Sequence, residues 1–306
     1  MLHFKQIIMK NHGIFVTLLL LTFSGVLSAQ EKDTTYWQHG ERFGLNFNQA
    51  AFSNNWKGGG NNSVSFAALF NGKLKYGKDR ISWDNELDLQ YGIVKNQNQD
   101  ARKSNDRIFF DSKLGYSISK NWNLFTALSF QSQFDKGYEF GVDDNGAETR
   151  ALISGFMAPA FITSAWGAEY KPNEFLSVRL APFSPRVTIV RDTTIHNQVS
   201  GNYGVEIGET VRYEWLAFSA VATFEKDLVE NIHFKARYEL FANLQEFEAN
   251  KLDHRLDLAL TAKVFKAINV SLMSTVLYDF DQVNEIQTSF TTGVGLLFIL
   301  GNLPEE

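Results

Sequence analysis

The chain has 306 residues, a formal net charge of −5 at pH 7 and no cysteine. The lack of cysteine excludes a disulfide framework and a thiolate metal site, and it argues against a lipidated N-terminal cysteine. The net charge is mild and the sequence carries no basic patch, so we expect no nucleic acid among the partners. The 27 Phe and 10 Tyr residues and the low count of 5 Pro residues suit a chain rich in β-strands.

Residues 1–29 are predicted to form a secretory signal peptide. Lys5 and Lys10 give it a positive start, residues 13–27 form an apolar core, and Ser28-Ala29 supply small residues before the expected cleavage point. The apolar core is too short for a comfortable membrane-spanning helix, which needs about 20 residues. No later stretch approaches that length, so we expect an exported protein without a transmembrane helix.

The first predicted strands follow a polar lead of residues 30–41. Strand one is expected over residues 42–52, and the loop of residues 53–62 places Trp56 beside three glycines. Residues 81–93 then alternate almost without a break between apolar odd positions and charged or polar even positions. Because residues two apart share one face of a strand, this pattern predicts a strand that is apolar on one face and charged on the other.

The same alternation recurs along the rest of the chain. Strand six is expected to run from about residue 150 to Tyr170, and Pro159 within it predicts an irregular strand end or a bulge. Short turns and long polar connections alternate between the strands. The later long connections are expected at residues 95–106, 135–149, 191–202, 242–253 and 281–285.

The eighth predicted strand changes phase partway along. From Val205 to Trp215 the odd positions are mainly apolar, whereas from Leu216 to Phe224 the even positions are apolar. A β-bulge near Trp215-Leu216 shifts the alternation by one residue and explains the change without a turn. Two separate short strands are the alternative, and the lack of turn residues after Gly208 favours one bulged strand.

The alternation of short and long connections predicts an all-β fold. Outer-membrane β-barrels have an even number of antiparallel strands, short periplasmic turns and longer outer loops. Twelve strands satisfy this order when both chain termini lie on the side of the short turns. We therefore predict a signal peptide over residues 1–29, a periplasmic lead over residues 30–41, and a single antiparallel transmembrane β-barrel over residues 42–306.

Aromatic residues support a membrane barrel over a soluble one. Six Trp and Tyr residues are expected on the apolar face at the short-turn ends of their strands, where an aromatic girdle meets lipid headgroups. A soluble lipocalin-type barrel would also alternate, but it has little reason to gather these rings at one rim. The predicted periplasmic girdle consists of Tyr76, Trp83, Tyr116, Trp122, Trp166 and Tyr170.

The charged face is expected to line the interior, because a membrane strand must pair its backbone groups within a closed sheet. Twelve strands enclose a narrower lumen than the 16–18 strands of open porins. Interleaved acids and bases in such a lumen predict either an ion-pair network or a narrow channel. The predicted lumen-lining residues are Lys73, Lys75, Asp84, Glu86, Asp88, Arg107, Asp111, Lys113, Arg237, Glu239, Arg255 and Asp257, and the same face carries Arg179, Arg212, Glu214, Lys235 and Lys263.

The sequence contains few patterns that are typical of a catalytic site. Asp253-His254 lies at the long-loop end of a predicted strand, where an omptin-like protease would place an Asp–His pair, but His254 is equally compatible with an ordinary rim residue. A general base needs a partner within hydrogen-bond reach, which this pattern alone does not supply. No metal-ligand spacing and no cofactor motif is present, so we predict neither a metal nor a cofactor and no catalytic residue.

Several blocks carry a resemblance to a known family. Asn55-Trp56-Lys57-Gly58-Gly59, Phe156-Met157-Ala158-Pro159-Ala160, Glu169-Tyr170-Lys171-Pro172-Asn173 and Leu180-Ala181-Pro182-Phe183 resemble the signature blocks of an uncharacterised domain family of outer-membrane proteins in Bacteroidota. Lys57 stands where that family often has a small residue, and residues 191–202 diverge from it. The resemblance implies an outer-membrane barrel and brings no activity or site residues. Trp56 either docks a partner or belongs to a flexible loop.

Three functions remain open on this evidence. The polar lumen favours a narrow channel for small polar solutes in the outer membrane of a Gram-negative bacterium. The balance of charges in the lumen equally suits a sealed barrel that serves as a structural or accessory subunit of a larger envelope complex. A hydrolase built around His254 is the minor alternative. The expected partners are outer-membrane lipid and envelope proteins.

Overall fold

The computed structural model describes residues 36–53, 61–199, 201–265 and 267–302. The predicted signal peptide, residues 30–35 of the lead and the block from Asn55 to Gly59 lie outside the described residues. Within the described ranges, no helix is long and apolar enough to cross a membrane.

Sixteen strands and three short 3₁₀ helices make up the described chain. The strands are β1 (Trp37–Ala50), β2 (Ser63–Lys78), β3 (Ile81–Asn96), β4 (Arg102–Ser117), β5 (Trp122–Ser132), β6 (Gly137–Val142), β7 (Glu148–Ser154), β8 (Ala160–Tyr170), β9 (Leu176–Phe183), β10 (Arg186–Ile189), β11 (Val211–Glu214), β12 (Ala217–Val229), β13 (Ile232–Asn243), β14 (Asp253–Phe265), β15 (Ile268–Asp279) and β16 (Val283–Gly301). The 3₁₀ helices are η1 (Thr193–Ile195), η2 (Asn202–Gly204) and η3 (Ala249–Lys251).

The strands close into one antiparallel barrel. β1 pairs with β2 on one side and with β16 on the other, where Phe43 lies opposite Phe298. The ring continues through β3, β4, β5 and β8, then through β9 to β12, and back through β13, β14 and β15 to β16. β10 and β11 extend the neighbouring strands β9 and β12 at the long-loop end. The predicted twelve-stranded antiparallel barrel is confirmed.

The eighth barrel strand is interrupted where its sequence changes phase. β11 pairs with β10 and β12 pairs with β9, so the two pieces follow one path around the wall. Between them, the backbone N–H groups of Trp215 and Leu216 donate to Oε1 of Gln245 at 2.7 and 3.3 Å. One bulged strand was the favoured prediction, but the structure has two short strands, which was the alternative. The first begins at Val211 and not at Val205, because η2 and the turn after it occupy the preceding residues.

The strands extend further into the connections than the sequence pattern predicts. β1 begins at Trp37, so residues 37–41, expected in the polar lead, belong to the barrel wall. The connection between β3 and β4 shrinks to residues 97–101, and the one between β15 and β16 shrinks to residues 280–282. Backbone pairing therefore continues through polar residues, and the contrast between long and short connections is weaker than predicted.

A separate hairpin replaces the expected start of strand six. β6 and β7 pair only with each other, and β8 starts at Ala160 rather than near residue 150. The chain turns sharply between them, with Met157 at a positive φ of 58° and a cis peptide bond between Ala158 and Pro159. The predicted irregularity at Pro159 is therefore the end of a strand and not a bulge within it.

The barrel exterior is apolar. Large hydrophobic side chains stand exposed on every part of the wall, among them Phe43 on β1, Ile93 on β3, Leu128 on β5 and Phe298 on β16. The side chains between them on the same strands point inward, as the alternation predicts. An apolar belt of this kind on a closed barrel fits contact with lipid rather than with water.

Candidate functional site: the barrel interior

A cavity of about 1330 Å³, lined by both charged and apolar side chains, occupies the barrel interior. At the short-turn end it reaches Glu230 and Asn231, which join β12 to β13. At the long-loop end it reaches Arg186 and Tyr203. Nine of the predicted lumen residues line it, namely Lys73, Lys75, Glu86, Asp88, Arg107, Arg237, Glu239, Arg255 and Asp257.

The other three predicted lumen residues lie in a buried ion-pair cluster beside the cavity. Lys113 donates to both carboxylate oxygens of Glu169 at 2.7 and 2.8 Å and lies 3.1 Å from Asp84. Arg179 donates to Asp111 at 2.8 Å and its Nε lies 3.5 Å from Glu169. These five side chains fill the interior against β4, β5, β8 and β9, so this part of the lumen is occupied by protein.

Ion pairs also cross the lumen between opposite walls. Lys73 on β2 donates to Glu225 on β12 at 2.6 Å, and Lys235 on β13 donates to Glu86 on β3 at 2.5 Å. β2 and β12, like β3 and β13, are separated by half of the twelve-strand ring. Because Lys235 also lies 3.7 Å from Glu225, these four charges form one group across the middle of the barrel.

A third contact spans the barrel nearer the long-loop end. Arg107 on β4 lies 3.5 Å from Asp257 on β14, again on the opposite wall. Asp257 is held mainly by Arg255, which donates to both of its oxygens at 2.7 and 3.0 Å, and by the Thr275 hydroxyl at 2.7 Å. The lumen is therefore crossed by charged side chains at two successive levels.

Sequence reasoning did not single out several residues that organise the interior. Glu225 contacts Lys73, Arg42 and His233, while Glu169 joins Lys113 to Arg179. The sequence pattern does place both glutamates on the inner face of the barrel. Glu225 shares its face of the strand with Asp227, and Glu169 shares its face with Gly167. What alternation does not indicate is which inward residue meets which partner.

A folded connection covers the long-loop end of the cavity. This connection, described over residues 190–199 and 201–210, carries η1 and η2. Val190, Ile195, Tyr203 and Val205 pack with Ala158 in a buried apolar cluster. The Tyr203 hydroxyl donates to the Ile153 carbonyl of β7 at 2.7 Å, and burial raises the pKa of Tyr203, with the nearby Asp279 adding to the effect. The predicted long polar connection at residues 191–202 is present, and Ile195, His196 and Asn202 within it are buried.

Close packing locks this connection against the barrel. A Cβ atom on Gly201 would lie 2.1 Å from the Asp281 carbonyl oxygen. Gly204 has φ of 74°, and a Cβ there would lie 1.9 Å from the Arg212 guanidinium, which itself donates to Asp281 at 2.6 Å. Glycine is needed at both positions because the backbone approaches the wall so closely.

Asp253 and His254 do not form a catalytic pair. Asp253 faces the cavity and accepts from Arg186 at 2.7 Å. His254 lies on the outer face, where its Nδ1 is 2.7 Å from the Tyr238 hydroxyl and its ring lies near Tyr278. Adjacent residues of a strand face opposite sides of the sheet, so these two side chains are separated by the barrel wall. Among the described residues, no group of three or more His, Asp or Glu is arranged to hold a metal ion.

Most of the predicted girdle aromatics lie near the short-turn rim. Tyr76 and Trp83 pack around Trp37 with ring centroids 5.0 and 5.8 Å from it, and Trp122 lies 4.9 Å from Tyr170. Tyr116 lies opposite Ile81 at the start of β3. Trp166 departs from the prediction, because it pairs with Thr126, four residues further along β8 from the rim than Tyr170. Trp37 joins the rim because β1 begins earlier than predicted.

Comparison with known proteins identifies no activity. Residues 47–138 match a family described as a protein of unknown function (DUF3078), a range that includes residues 55–59 and ends before residues 156–160. No curated protein matches the chain. Among solved structures, the translocator domain of the autotransporter NalP from Neisseria meningitidis is similar at 10% identity and a TM-score of 0.39, covering 94% of this chain and 97% of that one. An outer membrane channel from Pseudomonas putida F1 is similar at 9% identity and a TM-score of 0.40, covering 91% and 98%.

Proposed function

We propose that this protein spans the outer membrane of a Gram-negative bacterium as a narrow channel for small polar solutes. The observation that carries the proposal is the cavity of about 1330 Å³, which extends from the short-turn end to the base of the folded connection. Charged side chains line it along its length, and the exterior of the same wall is apolar. Lipid is then the partner of the outer face, and solute is the partner of the inner face.

The constrictions limit what such a channel passes. Charges that meet across a lumen leave narrow passages beside them, and the segment of residues 190–210 covers the outer mouth. The solute is therefore small, and its passage depends on the movement of long charged side chains. This supports slow conduction of small polar molecules over the wide permeability of a general porin.

A sealed barrel is the second candidate, and the cross-lumen ion pairs favour it. In this alternative the ion pairs and the covered mouth close the lumen permanently, and the protein serves as a structural or accessory subunit of a larger envelope complex. The outer loops and the hairpin of β6 and β7 are then contact surfaces for envelope proteins.

Planar-bilayer recording separates the two candidates. The wild-type protein is expected to show small conductance steps, and the double variant Lys73→Ala/Glu225→Ala is expected to conduct several-fold more, because it removes a pair that crosses the lumen. A double variant is preferred because it removes both charges of the pair. If neither protein conducts under conditions in which a known porin does, the channel proposal fails. Recovery of a stable complex after gentle detergent extraction and crosslinking would then support the sealed alternative.

A further inference from the structure

Two lumen arginines lie against one phenylalanine ring. The guanidinium carbon of Arg107 lies 4.8 Å from the ring centroid of Phe109, and that of Arg237 lies 5.1 Å from it. Phe109 is 5% exposed, on the charged face of β4 between Arg107 and Asp111. An aromatic ring in this position restricts both side chains, since a guanidinium group stacks on such a face.

The guanidinium groups of these two arginines make few hydrogen bonds to the protein. Within the described parts of the chain, the guanidinium group of Arg237 donates no hydrogen bond, and the nearest carboxylate oxygen, on Glu239, is 3.6 Å from Nη2. Arg107 makes a single long contact of 3.5 Å to Asp257, an acid already held by Arg255 and Thr275. The Nε atoms of Arg107 and Arg237 are buried without a protein partner. Buried hydrogen-bond donors normally have acceptors. Two guanidinium groups that face one cavity with few acceptors are an exception that needs an explanation.

Three other lumen cations differ in this respect. Lys73, Lys235 and Arg255 each make at least one contact of 2.7 Å or less to a carboxylate. The lack of a close carboxylate contact therefore distinguishes Arg107 and Arg237 from these three cations. Both line the cavity, which extends from there to the short-turn rim.

We infer that Arg107 and Arg237 form a binding site for the carboxylate group of a small organic solute. Guanidinium groups bind carboxylates through two parallel N–H···O bonds, which their planar fork matches better than an ammonium does. Asp88, Glu239 and Asp257 also line the cavity, so the local excess of positive charge is small. A solute with one negative charge fits this balance better than a multiply charged anion such as phosphate. The inference deepens the proposed function by naming the chemistry of the solute.

Equilibrium dialysis of the purified full-length protein against labelled propionate tests this site without requiring flux. The wild-type protein is expected to bind propionate and not 1-propanol, which has nearly the same shape without the charge. Arg237→Gln is expected to raise the dissociation constant about tenfold or more, and Arg237→Lys to raise it less, because the charge remains but the fork is lost. Arg107→Gln gives a second, independent variant of the site.

Lys263→Gln is the matched control. Lys263 also lines the cavity but lies at the short-turn end of β14, so its loss removes the same charge outside the site. It is expected to leave propionate binding within about twofold of wild type, since only general electrostatic attraction changes. Equal weakening by Lys263→Gln and Arg237→Gln would overturn the site, and so would wild-type protein that binds propionate no better than 1-propanol. Retention of heat-modifiable gel mobility confirms that each variant is folded.

The two proposals fail in different ways. Binding of propionate by a protein that conducts nothing would overturn the channel and keep the carboxylate site. Conduction without a preference for propionate would keep the channel and overturn the site.

Discussion

Glu169 is the residue on which the buried ion-pair cluster depends most. Its carboxylate is 3% exposed and accepts from Lys113, from the Ser177 hydroxyl at 2.9 Å and from Asn123 at 3.3 Å, with Arg179 close by. Removing one charge of a buried network leaves its partners with an uncompensated charge, which costs far more than loss of an exposed pair.

Glu169→Gln is therefore expected to lower the free energy of unfolding by about 3 kcal/mol, measured by urea titration of the refolded protein in lipid vesicles. The cost lies at the low end for such a change because Asp84 and Asp111 still face the two cations. Glu248→Gln is the control: its pair with Lys251, at 2.8 Å, is solvent-exposed, so no measurable change is expected. Equal effects of the two variants would contradict the assignment of Glu169 as a buried anchor.

At the scale of elements, the backbones of the paired strands β8 and β9 come unusually close together at Gly167. Gly167 faces Phe125 on β5, and the register between β8 and β9 shifts between Trp166 and Ala168. A Cβ atom on Gly167 would lie 1.9 Å from the Leu180 carbonyl oxygen and 2.8 Å from the Ala181 Cα. Because both neighbours are backbone atoms, no side-chain rotation relieves the clash, and the two strands would have to separate.

Gly167→Ala is expected to prevent stable closure of the barrel, seen as loss of heat-modifiable migration and of protease resistance after refolding. Gly77→Ala provides the comparison, since Gly77 lies in β2 with no atom within 4 Å of an added Cβ. It should fold like wild type. A Gly167→Ala protein with wild-type stability would show that β8 and β9 are less closely packed than the backbone distances imply.

At the scale of the whole molecule, the barrel has an apolar exterior and a charged interior, which is the reverse of a water-soluble protein. Leu128 lies in the middle stretch of β5 and is 51% exposed on the outer face. Val142 is 71% exposed, but it ends β6 in the hairpin that pairs only with itself. If the barrel wall lies in lipid, the two exposed apolar residues have different surroundings.

Leu128→Arg is expected to lower the free energy of unfolding in lipid bilayers by about 2–4 kcal/mol, because the charge enters the hydrocarbon region. Val142→Arg is expected to leave it unchanged, since the hairpin lies outside the barrel wall. Denaturant titration in vesicles measures both. Unchanged stability of Leu128→Arg would argue that water, and not lipid, surrounds the wall.

The strand count, the two faces of each strand and the inward position of most charged residues follow from the sequence. These features depend on a local period of two residues, which survives in any β-strand whatever its neighbours. The change of phase at Trp215-Leu216 is visible in the sequence for the same reason, but it favoured a bulge there, whereas the structure has a break between β11 and β12. Strand ends were less predictable: β1 and β3 continue through polar residues, since backbone pairing does not require apolar side chains.

Only the tertiary structure decided which charges meet. Lys235 reaches Glu86 across 149 positions of sequence, and Lys73 reaches Glu225 across 152, because closure of the ring brings opposite walls together. The same closure brings Arg237 to the ring of Phe109 and the segment of residues 190–210 over the mouth. Alternation by itself determined that this protein is a two-faced barrel. The contacts that narrow its lumen and leave Arg107 and Arg237 short of partners arise from long-range geometry, which a local pattern does not encode.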